Sequence, residues 1–364
     1  MADRIKGILA KPKELEMLRK SLLSKSIALK GEKIIKRGSD YIIPIVDDYP
    51  KSLNKQYKVV EVSIKRSSKP KLFKELAKEI IPKEKFALLK TAYDMLGSIG
   101  ILEIDKELYP YKKKLGEALL KSNKNLKTAL RKSGSHEGDY RIQGFEYLAG
   151  DKTTVAIHKE NNVFITLDIS KMYFSPRLST ERKRIAGLIK PKEDVLVMFS
   201  GCAPYVCVIS KNTRANSVVG VEINKDAHLY GLKNIDKNKV KNATLINGDV
   251  RKELPRLKEK FDRIIMPLPK NAGEFLKLAF LVCKDSAWIH MYEFAKEEEF
   301  EIIENFVKNT SKEHSFLASY VKTTKCGQQS PREYRICVDF HVKKQRSGQK
   351  IQRKPKKTLN KKAR

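Results

Sequence analysis

The feature that most constrains the fold is an alternation of strand-like and helix-like segments that begins near residue 179. Short apolar runs that read as strands lie at 195–199, 217–221, 243–246, 261–266 and 287–291. Helical patterns run through Leu229 and Leu232 and across 275–282, and two late strand-like runs occupy 316–321 and 334–342. This alternation predicts a parallel sheet covered by helices, with an antiparallel edge formed by the last two strands.

Three features follow the first three predicted strands, where doubly wound folds bind their ligands. The first strand leads into a small-residue turn containing Gly201, although the turn lacks a complete GxGxxG pattern. The second strand ends in Glu222, 21 residues after Gly201, where an acidic side chain can bind a ribose diol. Asp249 follows the third strand. Together these features favour a nucleoside-type cofactor, without separating a dinucleotide from S-adenosylmethionine.

The fourth predicted strand ends in a rigid Pro-X-Pro turn, Pro267-Leu-Pro269. Methyltransferases of this architecture shape the pocket for the target base at this position. A simple strand terminator explains the turn equally well when the turn is considered alone.

The net charge of the chain points to a polyanionic partner. Lys and Arg number 76 against 43 Asp and Glu, which gives a formal charge of +33. The segment 343–364 contains 11 Lys or Arg and no acidic residue, so we expect a disordered basic tail that adds affinity for nucleic acid.

Several classes of protein are disfavoured. The longest uncharged stretch, 195–210, has only 16 residues and contains Gly201 and Pro204, so no membrane span is expected. The N-terminus has no apolar signal-peptide core. The five cysteines and six histidines show no metal-ligand spacing, which predicts reduced thiols, no metal site and a cytoplasmic protein.

Composition divides the chain into three domains and the tail. Residues 1–66 form a small basic domain with one short helix and several strands, and the linker-like segment 65–70 follows it. Residues 71–178 combine two helical patterns with three strand-like runs. The turn-like segment 159–162 between the last two runs predicts a β-hairpin. Residues 179–342 form the alternating domain.

A set of short motifs carries a resemblance to a known family. The motifs are Lys124-Asn-Leu-Lys-Thr128, Glu146-Tyr-Leu-Ala-Gly150, Ile157-His-Lys-Glu-Asn161, Tyr173-Phe-Ser-Pro-Arg-Leu178, Met198-Phe-Ser-Gly201, Val221-Glu-Ile-Asn224, Gly248-Asp-Val250, Met266-Pro-Leu-Pro-Lys270 and Pro331-Arg-Glu-Tyr334. In these motifs the chain resembles the archaeal tRNA (guanine-37-N1) methyltransferases, over its whole length except the tail.

The resemblance implies an α/β fold: a class I methyltransferase (Rossmann-like) domain preceded by two smaller N-terminal α+β domains. It implies S-adenosylmethionine as cofactor and tRNA as partner, contacted at its outer corner and anticodon loop by a monomer. The residues that it implies for the cofactor are Tyr173, Phe199, Gly201, Glu222, Ile223, Asp249, Val250 and Pro267. Those that it implies for the substrate are Arg177, Pro269 and Lys270.

The resemblance also implies two catalytic residues, Arg141 and Glu181. Guanine N1 carries a proton at neutral pH, and its removal places negative charge on O6. Methylation at N1 therefore needs a base near N1 and a cation or donor near O6. Glu181 as general base and Arg141 as the O6 donor satisfy this demand.

Three departures from the family pattern keep other functions open. Val197, Ala203 and Pro267 stand where the family usually has Asp, Gly and Asn. One alternative is a related transferase of the wybutosine pathway, which moves an aminocarboxypropyl group or methylates the tricyclic intermediate. Another is a non-enzymatic tRNA-binding protein with a degenerate pocket.

Overall fold

The structure is a computed structural model that describes residues 3–29, 32–64, 71–137 and 142–345. Arg141, the predicted linker 65–70 and all but the first three residues of the predicted tail lie outside the described residues. The chain divides into two compact units, Met1–Pro70 and Lys71–Arg364.

The first unit is a small α+β domain. Its elements are β1 (Asp3–Ala10), α1 (Leu15–Ser24), β2 (Ile35–Arg37), β3 (Asp40–Pro44), α2 (Leu53–Gln56) and β4 (Val59–Ile64). The strands form an antiparallel sheet in the order β2-β3-β1-β4. Leu18 and Leu22, one helical turn apart on α1, pack on Ile8 and Ile43 of the sheet.

The second unit begins with a four-stranded sheet and two helices. Its elements are α3 (Phe73–Ile80), β5 (Tyr93–Leu96), β6 (Ile99–Leu102), α4 (Lys112–Ser122), β7 (Thr128–Glu137) and β8 (Ile142–Gly150), in the sheet order β5-β6-β7-β8. The parallel pair β6–β7 is joined across α4, whose Leu115 and Leu119 are buried against the sheet.

A hairpin of β9 (Val155–Glu160) and β10 (Val163–Asp168) follows, as the sequence predicts. Its two turn residues, Asn161 and Asn162, both have positive φ angles, 40° and 63°. Asn tolerates this conformation better than most residues, and such two-residue turns match the twist of paired strands.

The remaining elements form a seven-stranded sheet and its helices. They are α5 (Ser179–Leu188), β11 (Asp194–Met198), α6 (Pro204–Asn212), β12 (Ser217–Glu222), α7 (Lys225–Lys237), β13 (Ala243–Asn247), α8 (Val250–Glu253), β14 (Phe261–Met266), α9 (Leu276–Val282), β15 (Cys283–Lys296), α10 (Phe300–Glu313), β16 (Phe316–Ser330) and β17 (Glu333–Lys344).

The strand order is β13-β12-β11-β14-β15-β17-β16. The first five strands are parallel and the last two antiparallel, which confirms the predicted α/β class and the antiparallel C-terminal edge. The sequence analysis does not predict α10. Its Phe300, Ile303 and Val307 pack on the core at helical spacing, but the exposed Ile302 and Phe306 obscure this periodicity in the sequence. No helix among the described residues is long and apolar enough to cross a membrane.

Two buried asparagines, Asn234 of α7 and its C-cap residue Asn238, attach the hairpin to the helical layer of the large sheet. The Asn234 side chain accepts from the Thr166 N–H at 2.7 Å and donates to the Thr166 carbonyl at 2.9 Å. Asn238, one turn later, does the same with Phe164, at 2.8 and 2.7 Å. The two side-chain amides therefore act as a neighbouring strand for the edge of β10, whose backbone groups would otherwise lose their partners.

Replacing Asn234 with Ala should lower the free energy of unfolding by about 1–3 kcal/mol, because it leaves buried backbone groups without hydrogen bonds. Urea unfolding followed by circular dichroism measures this loss. Asp236→Ala, on the exposed side of the same helix, is the control and should change stability little. Equal stability of the two variants would contradict the role assigned to Asn234.

Candidate active site

The parallel strands bring the predicted cofactor residues to one edge of the sheet. Met198 of β11 lies opposite Val221 of β12, which lies opposite Ile246 of β13, so the three strands end level. The residues that follow these strands are therefore neighbours in space. The predicted cofactor residues at this carboxyl edge are Phe199, Gly201, Glu222, Ile223, Asp249, Val250 and, after β14, Pro267.

The turn between β11 and α6 has an unusual backbone. Phe199, Gly201 and Ala203 have φ angles of 56°, 57° and 64°. This left-handed conformation costs a non-glycine residue about 1–3 kcal/mol and is common at functional turns. A Cβ atom placed on Gly201 would meet no heavy atom within 4 Å, other than those of Gly201 itself and its two neighbours in the chain. The turn therefore presents bare backbone to a space that a ligand can enter.

Glu222 is fixed beside this open space. One of its carboxylate oxygens accepts from the Gly201 N–H and the other from the Asn224 N–H, both at 2.7 Å. Burial raises the pKa of Glu222, and the backbone donors oppose that shift. A carboxylate has about four acceptor positions, so these backbone donors leave acceptor capacity for a ligand. The residues present therefore fit a ligand that carries a hydroxyl pair.

Asp249 and Ile223 add a second acidic group and an apolar surface. The Asp249 carboxylate accepts from the Arg251 backbone N–H at 2.9 Å and from the Arg251 side chain at 2.5 Å. The Arg251 side chain lowers the pKa of Asp249. Ile223 is 43% exposed, whereas Val250 is buried. An exposed apolar side chain with acidic groups nearby fits a planar base and its ribose.

The Pro267-Leu-Pro269 turn is held by the backbone. The Leu268 N–H donates to the Met266 carbonyl at 2.8 Å, and the Phe294 N–H donates to the Pro269 carbonyl at 3.1 Å. Pro269 is buried and Lys270 exposed. On the adjoining β15, burial raises the pKa of Glu293 to about 7, a feature with no signature in the sequence.

A cleft of about 1160 Å³ lies between the β5–β8 sheet, the segment 169–178 and strands β16 and β17. The side chains that line it include Lys132, Gln143, Tyr173, Arg177, Cys326 and Arg335. Of the predicted residues that the structure describes, Tyr173 and Arg177 line this cleft, whereas Pro269 and Lys270 do not.

Both of these predicted residues are already engaged. The Tyr173 hydroxyl accepts from the Arg335 guanidinium at 2.8 Å. Arg177 is 70% exposed and contacts the Asp94 carboxylate through Nε at 2.8 Å and through its terminal nitrogen at 2.6 Å. Arg177 reaches solvent, so a phosphate can compete with Asp94 for its guanidinium.

The segment 169–178 joins the cleft to the cofactor edge. Most of its residues line the cleft, while the Lys171 carbonyl accepts from Asn224 Nδ2 at 2.8 Å. Asn224 also donates its backbone N–H to Glu222. The cleft and the carboxyl edge of the sheet therefore adjoin.

Glu181 lies in the first turn of α5, directly after the cleft-lining Leu178, and is 5% exposed. Its carboxylate accepts two hydrogen bonds from Arg184, both at 2.7 Å, and one from the Tyr292 hydroxyl at 2.5 Å. The Cys326 thiol, which also lines the cleft, interacts with the same carboxylate. Glu181 therefore lies just behind the cleft wall as a paired carboxylate.

The ion pair of Glu181 and Arg184 is part of a longer buried series of hydrogen-bonded ionisable side chains, which the sequence analysis did not predict. Arg184 also contacts Asp339, at 2.7 Å, and Asp339 accepts from His290 Nδ1 at 2.5 Å. His290 Nε2 lies 2.8 Å from Arg263, which forms two hydrogen bonds with Glu193. Arg184 and Asp339 are 155 residues apart, so no local spacing could have indicated their contact.

Within this series, His290, Cys337 and Asp339 bring potential metal-ligand atoms to within 4.8 Å of one another. Two guanidinium groups flank the cluster, since Arg184 contacts Asp339 and Arg263 contacts His290. Their positive charges would repel a cation, and the hydrogen bonds already use the ligand atoms.

Arg141 lies outside the described residues, so its side chain carries no structural statement. Gly134 and Gln143, which precede and follow the segment that contains it, both line the cleft. The Gln143 amide donates to the Gly134 carbonyl at 3.1 Å.

Comparison with known protein families and curated relatives assigns these features. Residues 156–317 match the TRM5/TYW2 methyltransferase domain, and residues 73–153 match the TYW2 N-terminal domain. The chain is 34% identical to the tRNA (guanine(37)-N(1))-methyltransferase Trm5b of Pyrococcus abyssi, over 91% of this chain and 97% of that protein. Identity to the protein of the same name from Methanocaldococcus jannaschii is 32%, over 90% and 96% of the two chains.

Solved structures agree. The crystal structure of Trm5b from Pyrococcus abyssi matches 93% of this chain and 99% of its own, with a TM-score of 0.72 and 33% identity. A structure of aTrm5 in complex with tRNALeu matches 92% and 99%, with a TM-score of 0.70 and 28% identity. Pyrococcus horikoshii TYW2 in complex with MeSAdo matches 74% of this chain and 97% of its own, at a TM-score of 0.63 and 28% identity.

These matches confirm the resemblance drawn from the short motifs and the predicted class I methyltransferase fold. S-adenosylmethionine is the cofactor of the family, as predicted. The chain belongs to the TRM5/TYW2 methyltransferase family.

Proposed function

We propose that this chain methylates N1 of guanosine 37 in tRNA, with S-adenosylmethionine as the methyl donor. The observation that carries the proposal is the contact of two parts at the segment 169–178. On one side lies the cofactor edge with Gly201 and Glu222, and on the other the cleft with Glu181 behind its wall. Two relatives that match over most of their length are named for this activity.

Two side chains have different roles in the reaction of the target base. Glu181 accepts the N1 proton, and Arg141 stabilises the negative charge that develops on O6. S-adenosylmethionine, when bound at the carboxyl edge, supplies the methyl group. Glu222, Ile223 and Asp249 bind its nucleoside, Gly201 gives it access to the backbone, and the remaining cofactor residues Tyr173, Phe199, Val250 and Pro267 shape the pocket around it.

The partner is tRNA, bound by a cytoplasmic monomer. A charge of +33 favours a polyanion, and the target base must leave the anticodon-loop stack to enter the cleft. Arg177, Pro269 and Lys270 contact the loop. Residues 1–66 dock on the outer corner, 71–178 frame the anticodon loop, 179–342 bind the cofactor, and the basic tail 343–364 adds phosphate contacts.

A second candidate function is a transfer reaction on a wybutosine intermediate. The match of residues 73–153 to the TYW2 N-terminal domain and the presence of Pro267 favour it. Pro267 offers neither a side-chain donor nor a backbone N–H to the substrate. A 30% identical relative from Nanoarchaeum equitans, matched over 99% of its length, is named for both guanine(37)-N(1) and 4-demethylwyosine(37) methylation.

Product analysis distinguishes these functions. Unmodified tRNA and tRNA carrying 4-demethylwyosine are incubated separately with S-adenosylmethionine labelled either in the methyl or in the aminocarboxypropyl group. Methyl label in 1-methylguanosine at position 37 is the expected result. Aminocarboxypropyl label, or methylation of only the 4-demethylwyosine tRNA, would replace the first function with the second. Absence of S-adenosylmethionine binding would support the non-enzymatic alternative.

Glu222→Ala should weaken S-adenosylmethionine binding by about ten- to a hundred-fold, because a hydrogen bond to a charged group contributes about 1.5–3 kcal/mol. Isothermal titration calorimetry measures the affinity. Glu259→Ala, at an exposed position of the same domain, is the control and should bind normally. Unchanged affinity in Glu222→Ala would place the cofactor elsewhere.

Glu181→Gln and Arg141→Ala should each slow single-turnover methyl transfer by about 100- to 10,000-fold while S-adenosylmethionine affinity stays nearly native. The two groups serve one proton transfer, so the double variant should lose less than the product of the single losses. Rapid-quench measurements at saturating tRNA give these rates. A near-native rate in Glu181→Gln would rule out Glu181 as the base.

A further inference from the structure

One guanidinium is shared by two buried carboxylates behind the cleft. Arg184 contacts Glu181 through Nε and a terminal nitrogen, both at 2.7 Å, and contacts Asp339 through its terminal nitrogens at 2.7 and 3.2 Å. The Arg184 side chain is 27% exposed, whereas those of Glu181 and Asp339 are 5% and 9% exposed. A planar guanidinium is suited to hold two carboxylates in fixed directions at once.

The hydrogen bonds are distributed unevenly between the two oxygens of Glu181. Oε1 accepts from Arg184 and from the Tyr292 hydroxyl, whereas Oε2 accepts from Arg184 Nε. A carboxylate oxygen has about two acceptor positions, so Oε1 is filled by two strong donors. Oε2 accepts a single hydrogen bond from Arg184, and the Cys326 thiol, which lines the cleft, is the other group that interacts with the carboxylate, so Oε2 is the oxygen that we assign to the N1 proton.

Asp339 in turn is anchored by the sheet. It lies opposite His290 in the β15–β17 pair and accepts from His290 Nδ1 at 2.5 Å and from Thr324 at 3.1 Å. Burial by itself raises the pKa of Asp339, but His290 and Arg184 outweigh it and hold that pKa well below its usual range. Asp339 is therefore an ionised, immobile anchor for Arg184.

We propose that Arg184, anchored by Asp339, is a positioning residue that orients the Glu181 carboxylate so that Oε2 can accept the N1 proton. The inference rests on the proposed role of Glu181 as general base. A neighbouring cation favours the charged form of a carboxylate, and a cation shared by two carboxylates favours each of them less than a cation held by one alone. Arg184 is shared in this way between Glu181 and Asp339.

The other titratable groups near Glu181 leave this balance to Arg184 and Asp339. The groups around it are Arg184 of α5, Tyr205 of α6, Tyr292 of β15, Cys326 of β16, and Cys337 and Asp339 of β17. Burial raises the pKa of both tyrosines and both cysteines, so these four groups stay neutral near pH 7.

The test compares pH profiles of single-turnover methyl transfer for Arg184→Gln, Arg184→Lys and Asp339→Asn, with saturating unmodified tRNA and S-adenosylmethionine. Arg184→Gln removes the cation, so its acidic limb should move to higher pH by about one unit or more and its rate should recover in alkali. In Asp339→Asn, Arg184 no longer pairs with a second carboxylate and interacts only with that of Glu181. The acidic limb of the pH profile of this variant should therefore move to lower pH. Arg184→Lys should be slower with a nearly native limb, because lysine keeps the charge and loses the bidentate geometry.

Arg256→Gln is the matched control, since Arg256 forms an exposed ion pair with Glu253 at the same three-residue spacing. It should keep the native profile. Melting temperature and S-adenosylmethionine affinity, measured for every variant, separate misfolding from altered chemistry. If Arg184→Gln fails to fold, the nearly native acidic limb expected of Arg184→Lys and the lowered limb expected of Asp339→Asn decide the question.

Equal fractional losses at every pH, or native profiles in Arg184→Gln and Asp339→Asn, would overturn the inference and leave Arg184 a structural support. Glu181→Gln is measured in parallel to keep the two proposals apart. A near-native rate in that variant would remove the proposed base. A large loss there, combined with unshifted limbs in the Arg184 and Asp339 variants, would remove only the positioning role.

Discussion

The parallel strands β11, β12 and β13 end at the same level of the sheet, and the rest of the site depends on this constraint. Each strand is followed by a crossover helix, so the chain must turn at the carboxyl edge of the sheet every time. These turns place three groups together at this edge: the open backbone of Gly201, the fixed carboxylate of Glu222 and the capping carboxylate of Asp249. None of these groups would be adjacent if the strands were shifted in register.

The hairpin β9–β10 and the segment after it give this edge a second wall. Asn234 and Asn238 bind the backbone of the hairpin, and the buried side chains of β9 and β10 pack into the same core as α6 and α7. The chain then passes Lys171, bonded to Asn224, and enters the cleft wall. One helix, α7, thus supports the hairpin at its C-terminal end and the cofactor edge at its N-cap, Asn224.

The buried ionic series places Glu181 at some cost. Taking charges out of water is unfavourable, and a buried ion pair seldom adds much stability over apolar packing, whereas loss of one member is strongly destabilising. Such a series is better explained by the orientation that it imposes. Its members come from α5, β14, β15, β17 and the residue before β11, so Glu181 is oriented by most of the domain.

The sequence by itself determined the alternating architecture, the antiparallel edge and the acids at the strand ends, because apolar periodicity and strand-end position are local properties of the chain. The short motifs also determined the family. Only the tertiary structure decided that Arg184 meets Asp339, that Asn234 and Asn238 complete the edge of β10, and that Glu181 lies paired behind the cleft. These contacts join residues 68 to 155 positions apart, and their partners depend on strand order and helix packing, which no local pattern encodes.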